Sequence, residues 1–169
     1  SWEKMMAGWL QPVELVTDTY VNDMMPLSQG GQSYIIYNPA YRNEFYMLEH
    51  RAKIGWDKKI PGEGMLVLYV DYDERIFNYY NAPNTYKQGI NDHQRLTIFH
   101  ADNTDQDRNE STDAYPFGDL NVLSNYSTPS AKLYNANTDG TKMMNIRVNR
   151  ISKNDDGTMS FVFGDWANA

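Results

Sequence analysis

The sequence predicts a mainly β fold, an antiparallel β-sandwich-like domain of about eight short strands with one or two short helices. Three observations support this class. Short apolar or alternating segments are separated by turn residues such as Gly, Pro and Asn. Aromatic residues make up 14% of the chain, and its 13 tyrosines favour strands and half-buried surfaces. Strands and helices do not alternate regularly along the sequence, which argues against a parallel sheet. We expect residues 1–169 to form one domain, because no repeat or linker divides them.

The stretch from residue 44 to residue 73 predicts the central hairpin of the core. Residues 44–51 form one expected strand and residues 65–72 the other. The second segment, MLVLYVDY, is almost continuously apolar, which is typical of a strand buried on both faces. The connection between the two strands is rich in Gly and Pro, the residues that suit tight turns.

The first ten residues predict a short helix with one apolar face. Trp2, Met5, Met6 and Trp9 recur at helical spacing. This face is expected to pack on the core, or alternatively to be a surface left bare by the removal of an upstream domain. Because the chain begins inside this helix without an initiating Met, we expect it to be a piece of a longer polypeptide.

The other expected elements are short strands, apart from one helical turn. They are strands at residues 13–17 with a continuation at 20–21, 33–37, 94–100, 132–134, 144–152 and 158–163, and a helical turn at 76–80.

The last two strands make the clearest hairpin of the sequence. Their connection contains Asn-Asp-Asp-Gly, a strong hairpin turn. In the first strand we expect Ile146, Val148 and Ile151 to face the core, and in the second Met159, Phe161 and Phe163.

Charge and cysteine content exclude several classes of function. The net charge of −7 and the isoelectric point of about 4.8 argue against nucleic acid, which requires a basic surface. No apolar run is long enough for membrane insertion, and we expect no signal peptide within these residues. The chain has no cysteine, so disulfides, thiolate metal sites and thiol catalysis are excluded.

The residues that commonly carry hydrolytic chemistry do not form a recognisable motif. The three histidines, His50, His93 and His100, lack the HExxH spacing of a zinc peptidase and are expected to be hydrogen-bonded structural residues. Acidic residues cluster at Asp71, Asp73 and Glu74, but nothing singles out a glycosidase pair. We therefore expect no catalytic residue in this chain.

Residues 102–130 form a long, acidic, turn-rich loop that could bind calcium. Asp102, Asp105, Asp107 and Asp113 are the candidate ligands, because calcium prefers six to eight hard oxygen atoms. The spacing differs from an EF-hand, since the Gly and the final Glu of that motif are missing. A solvated acidic loop without a bound ion is the alternative.

Aromatic residues in the loops raise a second possibility, a platform on which sugars stack. Trp56, Tyr79, Tyr80 and Tyr86 lie in expected loops or at strand ends. The alternative is that they fill the edges of the core.

Several segments, in the same order, resemble one protein family. Residues 48–73 read LEHRAKIGWDKKIPGEGMLVLYVDYD and resemble the segment LENRQ…GWD…LPGHGMLIWHIDY of the immune inhibitor A-like family of secreted bacterial zinc metallopeptidases. Residues 2–10, WEKMMAGWL, resemble the YERWFMGWL helix that follows the zinc-binding segment in that family. Residues 101–102 and 113–116 resemble EADG…SDLFPG, and the terminal hairpin resembles ITNI…GVVSF.

The chain also departs from the family pattern. The HExxH helix and the third zinc ligand would lie upstream of Ser1, so no zinc ligand can be assigned to this chain. Glu63 stands where the family often has His, and Tyr69 stands near another frequent His. His50 replaces Asn and Ala52 replaces Gln.

The resemblance implies a non-catalytic, C-terminal, β-rich domain of a secreted or surface-exposed zinc metalloendopeptidase. Residues 1–10 would then be a helix remaining from the upstream catalytic domain, which is the expected partner. The parent would hold zinc and act on a protein or peptide substrate, whereas this chain would scaffold the catalytic domain and help to shape its substrate cleft. The alternatives are a stand-alone ligand- or glycan-binding β-sandwich, and an inactive fragment whose Trp2/Trp9 helix docks another subunit.

Overall fold

The computed structural model describes residues 2–104 and 110–165. Within these ranges nine strands form two sheets, which confirms the mainly β class. The strands are β1 (Val13–Glu14), β2 (Thr19–Met24), β3 (Tyr34–Tyr37), β4 (Glu44–Arg51), β5 (Gly64–Asp71), β6 (Leu96–Ile98), β7 (Leu123–Ser124), β8 (Arg147–Lys153) and β9 (Met159–Phe163). The helical elements are α1 (Trp2–Met6), a π-helical turn (Arg75–Tyr79) and 3₁₀ turns at Leu27–Gln29, Gly55–Asp57 and Glu110–Thr112.

The first sheet has five strands in the order β1-β3-β4-β5-β6. β3, β4, β5 and β6 pair in antiparallel fashion, while β1 pairs with β3 in parallel. The β4–β5 hairpin is the centre of this sheet, and its register places Glu44 opposite Asp71 and Arg51 opposite Gly64. The predicted central hairpin is therefore confirmed.

The second sheet has four strands in the order β2-β9-β8-β7. The predicted terminal hairpin forms its centre as β8 and β9. The register shifts between Asn149 and Ser152, where Arg150 has a positive φ of 51°. This bulge explains how Val148 and Ile151, three positions apart, are both buried.

Apolar side chains cover both faces of the five-stranded sheet. The inner face packs against the second sheet and makes the main core, which includes Tyr46, Leu48, Met65, Val67, Leu123, Val148, Ile151, Met159 and Phe161. The outer face carries a second cluster of Ile35, Phe45, Met47, Leu68, Val70, Ile76 and Phe77. Burial of each such Leu, Ile, Val or Phe side chain stabilises the fold by about 2 kcal/mol. A sheet that is apolar on both faces requires a layer on each side.

The structure corrects the prediction of one strand at residues 13–17 that continues at 20–21. The chain makes two strands in different sheets, because residues 15–18 carry it from β1 to β2. Leu15 is buried during this crossing, whereas Val16 is 72% exposed. One continuous segment therefore contributes β1 to the five-stranded sheet and β2 to the four-stranded sheet.

Three other elements are shorter than predicted. Helix α1 ends at Met6, since Gly8 adopts a positive φ of 73°. The strand expected at residues 94–100 is limited to Leu96–Ile98. At residues 132–134 the only ladder contact described is the isolated bridge between Lys132 and Met143.

Two glycines let the loop that precedes β5 pass close to another segment. A Cβ atom on Gly62 would lie 2.7 Å from the carbonyl oxygen of Ser111. A Cβ atom on Gly64, whose φ is 143°, would lie 2.5 Å from the carbonyl oxygen of Tyr115. The Pro-Gly-Glu-Gly sequence thus provides backbone conformation and space for residues 111–115.

Across residues 2–104 and 110–165, no helix has the length and apolar character needed to span a membrane.

Candidate functional site

The most elaborate polar arrangement lies at one end of the β4–β5 hairpin. Glu44 begins β4 and Asp71 ends β5, and the register places these two residues directly opposite each other. Glu44 is 0% exposed and Asp71 is 1% exposed. Two carboxylates buried side by side are costly unless hydrogen-bond donors surround them. We call Glu44, Asp71, His93, Tyr134 and Asn135 the carboxylate cluster.

Glu44 accepts hydrogen bonds from three other parts of the chain. Its donors include the Tyr69 hydroxyl at 2.7 Å and Asn38 Nδ2 at 3.0 Å. The backbone N–H groups of Tyr134 and Asn135 also donate to it, at 2.5 and 3.2 Å. Burial, together with the hydrogen bond to Glu44, raises the pKa of Tyr69, so its hydroxyl remains a donor.

Asp71 is held by one histidine, one arginine and one amide. Its Oδ2 atom lies 2.8 Å from His93 Nε2, 3.2 Å from Arg95 Nη1 and 3.2 Å from Asn135 Nδ2. Burial raises the pKa of Asp71, while the His93 hydrogen bond and the Arg95 charge oppose that rise. The buried Oδ1 atom of Asp71 has no hydrogen-bond partner in the structure.

His93 also connects the cluster to the surface. Its Nδ1 atom lies 2.7 Å from Oδ1 of Asp92, and its ring stacks on Tyr134 with centroids 3.5 Å apart and planes 6° apart. The Tyr134 hydroxyl donates to Asp92 Oδ2 at 2.8 Å. The hydrogen bonds from His93 and from Tyr134 lower the pKa of Asp92 to about 2.

The carboxylate cluster joins two loops to one end of the β4–β5 hairpin. The backbone N–H groups of residues 134–135 donate to Glu44 at the end of the five-stranded sheet, and the contact of His93 with Asp71 holds the loop before β6 at the same end. A shallow cavity of about 270 Å³ beside it is lined by Tyr69, His93, Gln94, Thr97, Phe99, Lys132, Leu133 and Tyr134. Glu44 and Asp71 do not line this cavity.

Sequence reasoning missed this cluster, although it noted Asp71 among clustered acids. Asp73 and Glu74, the other two acids, lie outside it. The available signal was the hairpin register, because a strand that begins with Glu44 and an antiparallel neighbour that ends with Asp71 bring the two acids together. Nothing local indicated that His93 and Asn135 would reach the same place.

The predicted calcium ligands are only partly described. Asp105 and Asp107 lie outside the described residues. Asp102 accepts hydrogen bonds from the Thr104 N–H at 2.9 Å and from the Thr112 hydroxyl. Asp113 is 4% exposed, and its Oδ1 atom lies 2.8 Å from His100 Nδ1. Calcium binding by this loop stays a prediction.

The three histidines occupy separate environments. His50 is buried, and its Nδ1–H donates to the Met24 carbonyl oxygen at 2.9 Å. His93 and His100 contact Asp71 and Asp113 respectively. Among residues 2–104 and 110–165 no three His, Cys, Asp or Glu side chains are grouped so as to hold a metal ion.

The four loop aromatics do not form one platform. Trp56 is 98% exposed on the 3₁₀ turn before β5. Tyr79 and Tyr80 contact each other edge to face on the π-helical turn, with ring centroids 4.8 Å apart. They line a cavity of about 600 Å³ together with Glu74, Arg75 and Asn78, and neither Trp56 nor Tyr86 contributes to it.

The amphipathic α1 helix lies over the outer face of the five-stranded sheet. Trp2 contacts Phe77 edge to face at a centroid distance of 4.8 Å, and Met5 and Leu10 pack against the same cluster. By contrast, Met6 is 50% exposed and Trp9 is 82% exposed. The predicted apolar stripe is thus divided between a packed half and an exposed half.

Comparisons with protein-family models, with curated proteins and with solved structures find no match to this chain. The resemblance to the immune inhibitor A-like family consequently stays a prediction based on the segments quoted above.

Proposed function

We propose that this chain is a non-catalytic, C-terminal, β-rich domain of an immune inhibitor A-like secreted zinc metallopeptidase. In this proposal it scaffolds the catalytic domain and contributes to the wall of the substrate cleft. The zinc ligands belong to the upstream part of the polypeptide, and the substrate is a protein or peptide outside the cell or at its surface.

The observation that supports this proposal is the incomplete outer layer of the five-stranded sheet. Its outer face is apolar, and among the described residues α1, the π-helical turn and the loop before β6 pack against it. Leu66 and Ile98 on this face are half-buried and line an open cavity of about 360 Å³ together with Ile60, Pro61 and Ala114. A further layer from the catalytic domain would bury them.

The exposed side chains of Met6, at the end of α1, and of Trp9, just after it, indicate where that layer would attach. Trp9 and Met6 present apolar surface beside the outer face while Trp2 and Met5 anchor the helix to it. A large aromatic that is fully desolvated by a partner is the usual centre of an interface. In the proposed parent, the catalytic domain covers Trp9 and Met6.

The first test is the coding sequence upstream of Ser1. The proposal expects an HExxH segment there, within the same reading frame. An upstream sequence that lacks such a segment would leave only the binding-module alternatives.

The second test uses Trp9→Asp and its matched control, Tyr86→Asp, in the parent polypeptide. Trp9→Asp should lower both casein hydrolysis and the melting temperature, because it places a charge in a desolvated interface. Tyr86 is 73% exposed in a loop, so its substitution should change neither. In the 169-residue chain alone, Trp9→Asp should leave the melting temperature unchanged, since Trp9 is 82% exposed there. Equal behaviour of both variants in the parent would contradict the proposed interface.

A further inference from the structure

Another cavity lies beside the four-stranded sheet. It is an open groove of about 830 Å³. Four segments of the chain build it: the β1–β2 connection, residues 122–127, residues 145–147 and the end of β9. At its base lies Phe163, which is buried, and the partly buried Ile146 packs against the same core. We call it the Tyr126 groove.

Tyr126 is the most exposed aromatic side chain of the groove. Its side chain is 96% exposed, although the surrounding backbone is fixed. The Tyr126 N–H donates to Ser124 Oγ at 3.2 Å, and the Ser124 N–H donates to Ser127 Oγ at 2.7 Å. An exposed ring on an ordered turn offers a flat apolar surface at little entropic cost.

Two asparagines form an interlocked pair in the same groove. Asn125 Nδ2 donates to Asn145 Oδ1 at 2.7 Å, and the Asn145 N–H donates to Asn125 Oδ1 at 3.1 Å. Asn145 has a positive φ of 59°, and its Nδ2 donates to Asp139 Oδ2 at 2.8 Å. A side-chain amide has two donors and two acceptor sites. Each asparagine therefore keeps donor and acceptor capacity beyond these contacts, in a fixed orientation.

The charges in the groove disfavour an anionic ligand. Asp18 and Asp165 contribute carboxylates, and Arg147 Nη1 lies 3.1 Å from Asp165 Oδ1. Since Arg147 is paired and the whole chain carries a net charge of −7, phosphate or sulfate groups would be repelled.

From this combination we infer that the Tyr126 groove binds a neutral oligosaccharide. Sugar hydroxyls both donate and accept hydrogen bonds, which suits amide and carboxylate side chains. The C–H face of a sugar ring is apolar and suits the exposed ring of Tyr126. In this arrangement one sugar stacks on Tyr126, while its hydroxyls bond to Asn125, Asn145 and Asp18. The inference does not depend on the parent being a peptidase.

The Tyr79 surface provides a matched comparison. Tyr79 is 80% exposed and lies near Asn78 and Glu74, so it offers the same residue types. However, all five lining residues there come from residues 74–80, a single turn of the chain. The Tyr126 groove is built by four segments and has an apolar base, which favours it as the binding site.

The inference can be tested by adding maltohexaose, cellohexaose, mannohexaose or N-acetylchitohexaose to the ¹⁵N-labelled 169-residue chain and recording amide chemical shifts. At least one of these sugars should shift the amides of residues 122–127 and 145–147. Tyr126→Ala should weaken binding by about tenfold or more, whereas Tyr79→Ala should leave the Kd within about twofold. Because both side chains are exposed, both variants should keep the wild-type melting temperature.

Two results would overturn the inference. One is that none of the four sugars shifts any amide of the groove at millimolar concentration. The other is that the shifts map to residues 74–80 and are abolished by Tyr79→Ala while Tyr126→Ala has no effect. Neither result bears on casein hydrolysis by the parent, so the sugar-binding inference and the proposed peptidase role are tested separately.

Discussion

The imidazole of His93 bridges the buried carboxylate of Asp71 and the exposed carboxylate of Asp92. Its Nε2 atom lies 2.8 Å from Asp71 Oδ2, and its Nδ1 atom lies 2.7 Å from Asp92 Oδ1. The ring therefore connects a carboxylate inside the protein to one at its surface.

We expect His93→Gln to destabilise the domain by about 2 kcal/mol, because Asp71 loses its hydrogen bond with the imidazole while it stays buried. Urea unfolding measures this change. Asp92→Asn is the matched control on the exposed side of the same ring, and it should have a much smaller effect. Equal effects of the two variants would show that the buried His93–Asp71 contact contributes no more stability than the exposed His93–Asp92 contact.

We expect Gly64→Ala to destabilise the fold by about 3 kcal/mol, because a Cβ atom would meet a backbone carbonyl that cannot move independently. The φ of Gly64 is 143°, and the new Cβ would lie 2.5 Å from the Tyr115 oxygen. Gly118→Ala is the control, since Gly118 also has a positive φ, 55°, but open space around its Cβ position. Its cost should be about 1 kcal/mol, from backbone strain alone. Thermal unfolding of both variants compares the two.

We expect His50 to make the domain less stable at mildly acidic pH. Burial lowers the pKa of His50 from its usual 6.5, although the hydrogen bond to Met24 opposes this. Above pH 6.5 the ring is neutral in both states and its contribution is complete. As the pH falls from 6.5 towards the lowered pKa, the unfolded chain takes up a proton more readily, so the free energy of unfolding decreases.

His50→Asn provides the comparison, because Asn keeps an N–H donor for the Met24 carbonyl but does not titrate. All other residues are the same in both proteins, so the difference between the two pH profiles reports on position 50. Urea unfolding at pH 7.5, 6.5 and 5.5 should show that the wild type loses more stability than His50→Asn. Parallel pH profiles would contradict this account of His50.

The calcium hypothesis predicts that EGTA lowers the melting temperature. A ligand that binds only the folded state adds about 2.7 kcal/mol when its free concentration is about 100 times its Kd. The double variant Asp105→Asn/Asp107→Asn should abolish the EGTA effect, whereas Asp155→Asn, in the terminal hairpin turn, should retain it. A melting curve that EGTA does not change would remove calcium from the account.

The two hairpins were predictable because their information is local. Alternating or continuous apolar segments flank turn residues, and neighbouring strands then pair without a long connection. Even the burial of both Val148 and Ile151 was predicted correctly, although only the bulge at Arg150 explains it. The division of residues 13–24 between two sheets was not predictable, since an alternating pattern does not specify which sheet each half joins.

The carboxylate cluster could not be predicted from the sequence for a different reason. Asn135 donates to Asp71 across 64 positions of sequence, and Tyr134 donates to Glu44 across 90. Both donors come from residues without a strong strand or helix pattern. Their positions depend on how two sheets close on each other, which composition and spacing do not encode. The Tyr126 groove was missed likewise, because its lining comes from four separate segments.

The central claim is that these residues supply architecture to a zinc peptidase whose hydrolytic groups lie elsewhere in the polypeptide. Casein digestion with and without 1,10-phenanthroline, measured in parallel for the 169-residue chain and for the parent polypeptide, tests it most directly. The account predicts that the parent digests casein, that the chelator stops it, and that the chain alone, supplied with zinc, digests none. Chelator-sensitive digestion by the chain alone, or a parent polypeptide without such activity, would contradict it.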